Sequence, residues 1–218
     1  MVRLKPDTTY VRGPAKTAAT IMGRLIAIDV AILPPDEVAR RAIELSAALP
    51  DRESQGLRLG ADMLPHVTLL QQFVLADELP SLLDGADRVL RECGPVRLYI
   101  TGGGKGSGRS VWMALDRGDP VVDLHERLLH AAAAFDAADG GPSAFFNGDA
   151  RERDVRWVRD YRRASSGAAF MPHITLGHAE APPKVEPIDF VATTVAACHL
   201  GRFCTCQRVI RAWELRSQ

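Results

Sequence analysis

Two five-residue stretches of this chain read almost alike: Pro65-His66-Val67-Thr68-Leu69 and Pro172-His173-Ile174-Thr175-Leu176. Each is short, β-branched and opened by a proline, the pattern of a strand rather than a helix. Alternate side chains of a strand share a face. His66 and Thr68 therefore project together while Val67 and Leu69 turn to the core, and His173 and Thr175 stand in the same way against Ile174 and Leu176. A chain that carries one such strand in each half is expected to fold as two similar lobes. A pseudo-twofold axis then brings two imidazoles and two hydroxyls to one groove.

The surrounding pattern supports that division. Residues 23–30 read as a strand, and Asp36 caps a helix running to Ala47 or Leu49. A polar loop over 51–62 precedes the first motif strand, 66–74. A helix over 77–92 ends at Cys93-Gly94-Pro95. Strands over 96–101 and 110–115 are joined by the glycine-rich stretch 102–108, which reads as a flexible hairpin loop. Helices follow over 120–135 and 151–163, separated by a loop at 136–147, and two β-rich segments, 188–200 and 205–215, close the chain. Helices alternate with strands, yet several strand pairs are hairpins. The expected class is α+β, bilobal, with duplicated antiparallel sheets, helices on the outer faces and a central groove.

Charge and cysteine usage narrow the partners. Twenty-seven basic side chains against 27 acidic ones cancel, so no summed positive field exists to coat long nucleic acid. A pocket for one phosphate or one RNA end remains open. No apolar run approaches the roughly 18 residues of a membrane span, and residues 1–20 lack the apolar core of a signal peptide. Three of the four cysteines (93, 198, 204 and 206) crowd one strand-like segment, which is not the spacing of a disulfide framework. A cytoplasmic monomer is expected. Residues 1–21 have no helical or strand period and read as a disordered or non-native leader, with Met22 the expected start of a single domain over 22–218.

Paired histidines have a definite chemical use. Opening a cyclic phosphodiester requires a base for the attacking water and an acid for the departing ribose oxygen. An imidazole with an ordinary pKa near ~6.5 serves in either role. Hydroxyls of Thr68 and Thr175 can donate to the non-bridging oxygens as phosphorus becomes pentacoordinate. Neither a metal nor a cofactor is required, and the pH–rate curve is expected to be bell-shaped. Which histidine is the base is left open by the sequence.

These two Pro-His-x-Thr-Leu strands resemble the signature of the 2H phosphoesterase superfamily, which includes 2′-5′ RNA ligase-like proteins and cyclic phosphodiesterases. The resemblance extends from about Arg24 to Leu215. It implies a cleft between two antiparallel sheets, His66 and His173 as the catalytic pair, and Thr68 and Thr175 as phosphate-binding residues. It also implies a small nucleotide or RNA-end substrate: a 2′,3′-cyclic phosphate, ADP-ribose cyclic phosphate or a 2′-5′-linked oligonucleotide. The segment Leu176-Gly177-His178-Ala179 lacks the basic residue some RNA-acting members carry. Two other readings keep the same groove: a binding module without turnover, and 2′-5′ RNA ligation.

Other residues bear on the site less directly. Gln72 shares strand parity with His66 and Thr68 and is a candidate for the groove. The 102–108 stretch fits neither a P-loop, since Lys105 is followed by Gly106, nor a G-x-G-x-x-G register, although Lys105 and Arg109 can reach toward a groove mouth. Cys198, His199, Cys204 and Cys206 match no zinc spacing, and the three cysteines read as packed core residues. His125 and His130 read as surface or boundary residues, and nothing singles out His178. The arginines at 151, 153, 156, 159, 162 and 163 alternate with acidic residues and read as a solvated, ion-paired helix.

Overall fold

A computed structural model of the chain describes residues 23–106, 108–137 and 139–216; the leader expected at 1–21 lies outside them. The elements in chain order are β1 (Leu25–Leu33), α1 (Asp36–Ala47), α2 (Asp51–Ser54), β2 (Val67–Leu75), α3 (Leu79–Arg91), β3 (Val96–Lys105), β4 (Ser110–Leu115), α4 (Asp119–Ala132), α5 (Glu152–Ala164), β5 (His173–His178), β6 (Ile188–Ala192), β7 (Thr194–Gly201) and β8 (Thr205–Glu214). Short 3₁₀ turns fill the joints around 133–148, 167–169 and 202–204.

The strands form two four-stranded antiparallel sheets, ordered β2-β1-β7-β8 and β5-β4-β3-β6. In each, the motif strand lies at an edge and pairs with a strand that leads into a helix: β1 into α1, β4 into α4. The expected α+β class with two antiparallel sheets is therefore the observed one. The core joins Ile28, Val30 and Ile32 of β1 and Leu70 and Val74 of β2 to Val38, Ala42 and Leu45 of α1. Leu82 and Leu90 of α3, Val121, Leu124 and Leu128 of α4, and Leu98, Ile100, Val111, Met113 and Ile174 of the second sheet belong to the same core. Each of the Val, Leu and Ile side chains removed from water contributes about 1.5–3 kcal/mol.

Three local differences from the expected pattern have clear causes. Residues 188–200, read as one β-rich segment, are split at Thr193 between the two sheets. Ile188–Ala192 alternates buried and exposed, as an edge strand does, whereas Thr194–Gly201 is almost continuously buried between neighbours on both sides. The loop at 51–62 contains the turn α2 and buries Leu57 and Leu59. The glycines at 102–104 belong to β3 and pair with β4 instead of forming a flexible loop.

Candidate functional site

Each motif strand carries one residue more than its partner, at the motif leucine. Across β1 and β2, Val30 faces Leu70 and Ala31 faces Thr68, which leaves Leu69 unpaired. Across β4 and β5, Val111 faces Gly177 and Trp112 faces Thr175, which leaves Leu176 unpaired. A bulge of this kind shifts the strand alternation by one residue and re-aims the side chains that follow. Gly177 takes the distortion with φ of 151°, where a Cβ would come 2.8 Å from Leu49.

That shift corrects the placement of Gln72. After the bulge it is Gln71 that joins Thr68 on the groove face, its Nε2 donating to Asp29 Oδ2 at 2.7 Å. Gln72 is buried on the other side, donating to Ala132 O at 3.3 Å and accepting from Arg162 at 3.0 Å.

The two motif histidines are held identically. His66 Nδ1 lies 2.7 Å from Leu64 O, and His173 Nδ1 lies 2.8 Å from Met171 O. A carbonyl only accepts, so in both rings Nδ1 carries the hydrogen and Nε2 is left for chemistry. The edge strands β2 and β5 lie against each other, and the charge of His66 is felt at His173. Protein atoms crowded around His173 push its imidazole below the usual range, and the neighbouring His66 charge adds to that shift.

The surroundings of the two rings differ. In the first lobe Asp29 of β1 is fully buried, accepting from Thr68 Oγ1 and Gln71 Nε2 at 2.7 Å each, and its Oδ2 lies 3.7 Å from His66 Nε2. Burial pushes this carboxyl above its ordinary range, partly offset by His66 and the two hydrogen bonds. At the corresponding place in the second lobe, opposite His178 as Asp29 is opposite Gln71, stands Ser110. Opposite Thr175 stands Trp112, where the first lobe has Ala31. The Trp112 indole lies 5.0 Å from the His173 ring and rests on β3. A Cβ at Gly104 would come within 2.1 Å of it and one at Gly106 within 2.8 Å. The glycine-rich stretch is thus a flat bed for an aromatic ring.

The other candidates take mostly structural positions. Lys105 donates to the Glu180 carbonyl, and Arg109 pairs with Glu180 at 3.0 Å and Glu53 at 3.4 Å. His178 is buried, its Nδ1 donating to Ser54 O at 3.2 Å while Arg153 reaches its Nε2 at 3.5 Å. His130 is exposed, but the expectation of a boundary position for His125 is wrong. That ring is fully buried, stacks 3.8 Å from Phe170 and donates from Nδ1 to Leu69 O at 2.6 Å. Cys198 and Cys206 are core residues as expected, while Cys204 is half-buried in a left-handed turn, and His199 donates to Ala144 O at 2.8 Å. Of the arginines at 151–163, Arg151 pairs with Asp154, Arg162 with Asp136 and Arg163 with Asp160, while Arg153 donates to Gln55 at 2.9 Å.

Asp29, Gln71 and Trp112 were missed from sequence. A lone aspartate inside the apolar run Leu25–Leu33 is the one signal that was available, since a buried carboxylate requires partners.

Comparison with known proteins agrees with this architecture. A family model described as the 2'-5' RNA ligase superfamily matches residues 34–198. The structure of E. coli LigT complexed with 3'-AMP is 20% identical, with 88% of this chain and 99% of that chain covered and a TM-score of 0.60. LigT complexed with phosphate is 19% identical over 89% of this chain and 100% of that chain, with a TM-score of 0.57. The TT0787 protein of Thermus thermophilus is 21% identical over 88% of this chain and 100% of that chain, with a TM-score of 0.56. At these identities the likeness is one of fold. No curated protein matches the sequence significantly.

Proposed function

This chain belongs to the 2'-5' RNA ligase superfamily, and from that membership we propose that its groove is a two-histidine phosphodiesterase site acting without a metal on a cyclic phosphate or a 2′-linked nucleotide. The observation that carries the reading is the matched pair of Nδ1 bonds, at 2.7 Å in His66 and 2.8 Å in His173. They hold Nδ1 of both rings as the donor and leave Nε2 for chemistry.

The unequal surroundings divide the labour. His173, with its pKa lowered by crowding, is neutral and takes a proton from water. The oxygen of that water attacks phosphorus as the bond to one ribose oxygen breaks, and the departing oxygen receives its proton from His66 Nε2. Asp29 Oδ2 stands 3.7 Å from that nitrogen. Thr175, whose hydroxyl has no protein partner among the described residues, donates to a non-bridging oxygen. The Thr68 hydroxyl bonds Asp29 at rest and turns to the phosphate when the anion enters, since a hydroxyl rotates freely about its C–O bond.

Trp112 offers a face for a base beside His173. LigT structures hold 3'-AMP, ATP and phosphate, which supports a small nucleotide as the substrate class. The test is turnover of 2′,3′-cyclic nucleotides and 2′-5′-linked dinucleotides by the parent chain, His66→Ala and His173→Ala. Each substitution is expected to lower kcat by about 10²–10⁴-fold with melting temperature unchanged. Full activity in either variant overturns the assignment, and tight nucleotide binding without turnover in the parent favours a binding module.

A further inference from the structure

We propose that Asp29, His66 and Cys206 form an inhibitory binding site for one Zn²⁺ ion at the first lobe's end of the groove. A carboxylate oxygen, a ring nitrogen and the thiol sulfur of these three buried residues lie within 4.8 Å of one another. An oxygen, nitrogen and sulfur set suits zinc, whose bonds of about 2.0–2.3 Å are reached from there by small side-chain adjustments. Magnesium and calcium, which require oxygen ligands, do not fit.

Three features prepare the cluster. Among the described residues Asp29 Oδ1 is buried with no hydrogen-bond partner, while Oδ2 is anchored by Thr68 and Gln71. Oδ2 is the oxygen that lies 3.7 Å from His66 Nε2, and the carboxylate keeps a free lone-pair oxygen beside it. His66 donates from Nδ1 to Leu64 O, which leaves the Nε2 lone pair for a metal, the usual support of a ligating imidazole. Leu64 also donates its N–H to Cys206 O at 2.9 Å, so one residue sets the spacing of both ligands.

Binding forms Zn–O, Zn–N and Zn–S bonds and breaks the Cys206 S–H bond. The thiol proton leaves to solvent together with any proton on Nε2 or Asp29. Burial holds this thiol well above its ordinary range; a coordinated ion reverses that preference. A metal on Nε2 removes the acid, so occupancy and turnover exclude each other. That inhibitory arm rests on the phosphodiesterase reading; the site itself does not.

Cobalt replaces zinc as a visible probe. Co²⁺ added to the reduced protein should give a thiolate charge-transfer band that saturates at one ion per chain and is displaced by Zn²⁺. The band should persist in Cys93→Ser and vanish in Cys206→Ser and in Asp29→Asn. Zn²⁺, but not Mg²⁺, should inhibit turnover reversibly on chelation. Cys206→Ser should retain basal activity and need about tenfold or more Zn²⁺ for half-inhibition. Absence of the band, or a band unchanged by Cys206→Ser, overturns the site, and Asp29→Asn decides the same point if the serine variant does not fold. Inhibition equal in parent and Cys206→Ser overturns the inhibitory arm. The spectra require no turnover, so failure of the hydrolytic reading leaves them decisive.

Discussion

His125 of α4 and Ser46 of α1 perform the same task in opposite halves of the molecule. His125 Nδ1 donates to Leu69 O at 2.6 Å, and Ser46 Oγ donates to Leu176 O at 2.6 Å. Leu69 and Leu176 are the two bulge residues, whose carbonyls lose their ladder partners when the strand takes an extra residue. A buried carbonyl without a donor is costly, so each bulge depends on a polar side chain from the helix behind it. The aim of each Pro-His-x-Thr strand rests on a residue outside the groove.

Removing either donor should loosen the bulge it serves. His125→Ala deletes the bond and the stacked ring, and is expected to cost about 2–4 kcal/mol. Ser46→Ala is expected to cost about 1–3 kcal/mol, because Ser46 Oγ also accepts from Leu59 N at 3.0 Å. Urea denaturation measures both. Turnover should fall with each, although neither side chain reaches substrate.

Stability should also depend on pH through His125. Burial lowers its pKa, so near the ordinary value the unfolded chain binds a proton that the folded chain refuses. Stability from this group is complete above about pH 6.5 and declines as the solution is acidified below that value. A His125→Phe variant, although weakened by the lost hydrogen bond, should lose this part of the slope. Urea midpoints measured between about pH 5 and 8 check it.

Activity should decline on the acid side only below the ordinary imidazole range. In the proposed mechanism His173 acts as the base and must be neutral, and its pKa is depressed by crowding and by His66. The ascending limb of kcat/KM should therefore lie below about pH 6.5. Trp112→Ala opens one side of that ring to water, so the limb should move toward higher pH. Loss of the indole face should raise KM as well. A limb that stays in place would show that other groups do the crowding.

The architecture was readable because the echo at 65–69 and 172–176 combines a strand period with a repeated chemical pattern. What escaped was whatever depends on the third dimension. Gln71 and Gln72 cannot be ranked from alternation once a bulge lies between them and His66. His125 has no sequence mark of burial, since its role is to meet a carbonyl 56 positions away. Gly104 and Gly106 suit a loose hairpin as well as a strand under an indole until Trp112 is placed across them. In each case a tertiary partner overrides a local preference.

Asp29 offers the sharpest separation of function from stability. Burial is the largest influence on its pKa and raises it. Between about pH 3.9 and the higher folded value the folded chain therefore holds a proton on this carboxyl that the unfolded chain has released. The stabilising contribution of that difference is present below about pH 3.9, the unfolded value, and is lost as pH rises through the higher folded value. Asparagine retains an oxygen for Thr68 and Gln71 and carries no buried charge, so Asp29→Asn should be at least as stable as the parent at neutral pH, by up to about 2 kcal/mol. Activity should move the other way. In the proposed mechanism His66 Nε2 loses the carboxylate oxygen 3.7 Å away, and turnover should fall about tenfold or more. Thermal melts and pH–rate curves on the same preparation measure both quantities. A variant that is less stable and equally active would show Asp29 to be a packing residue with no part in the chemistry.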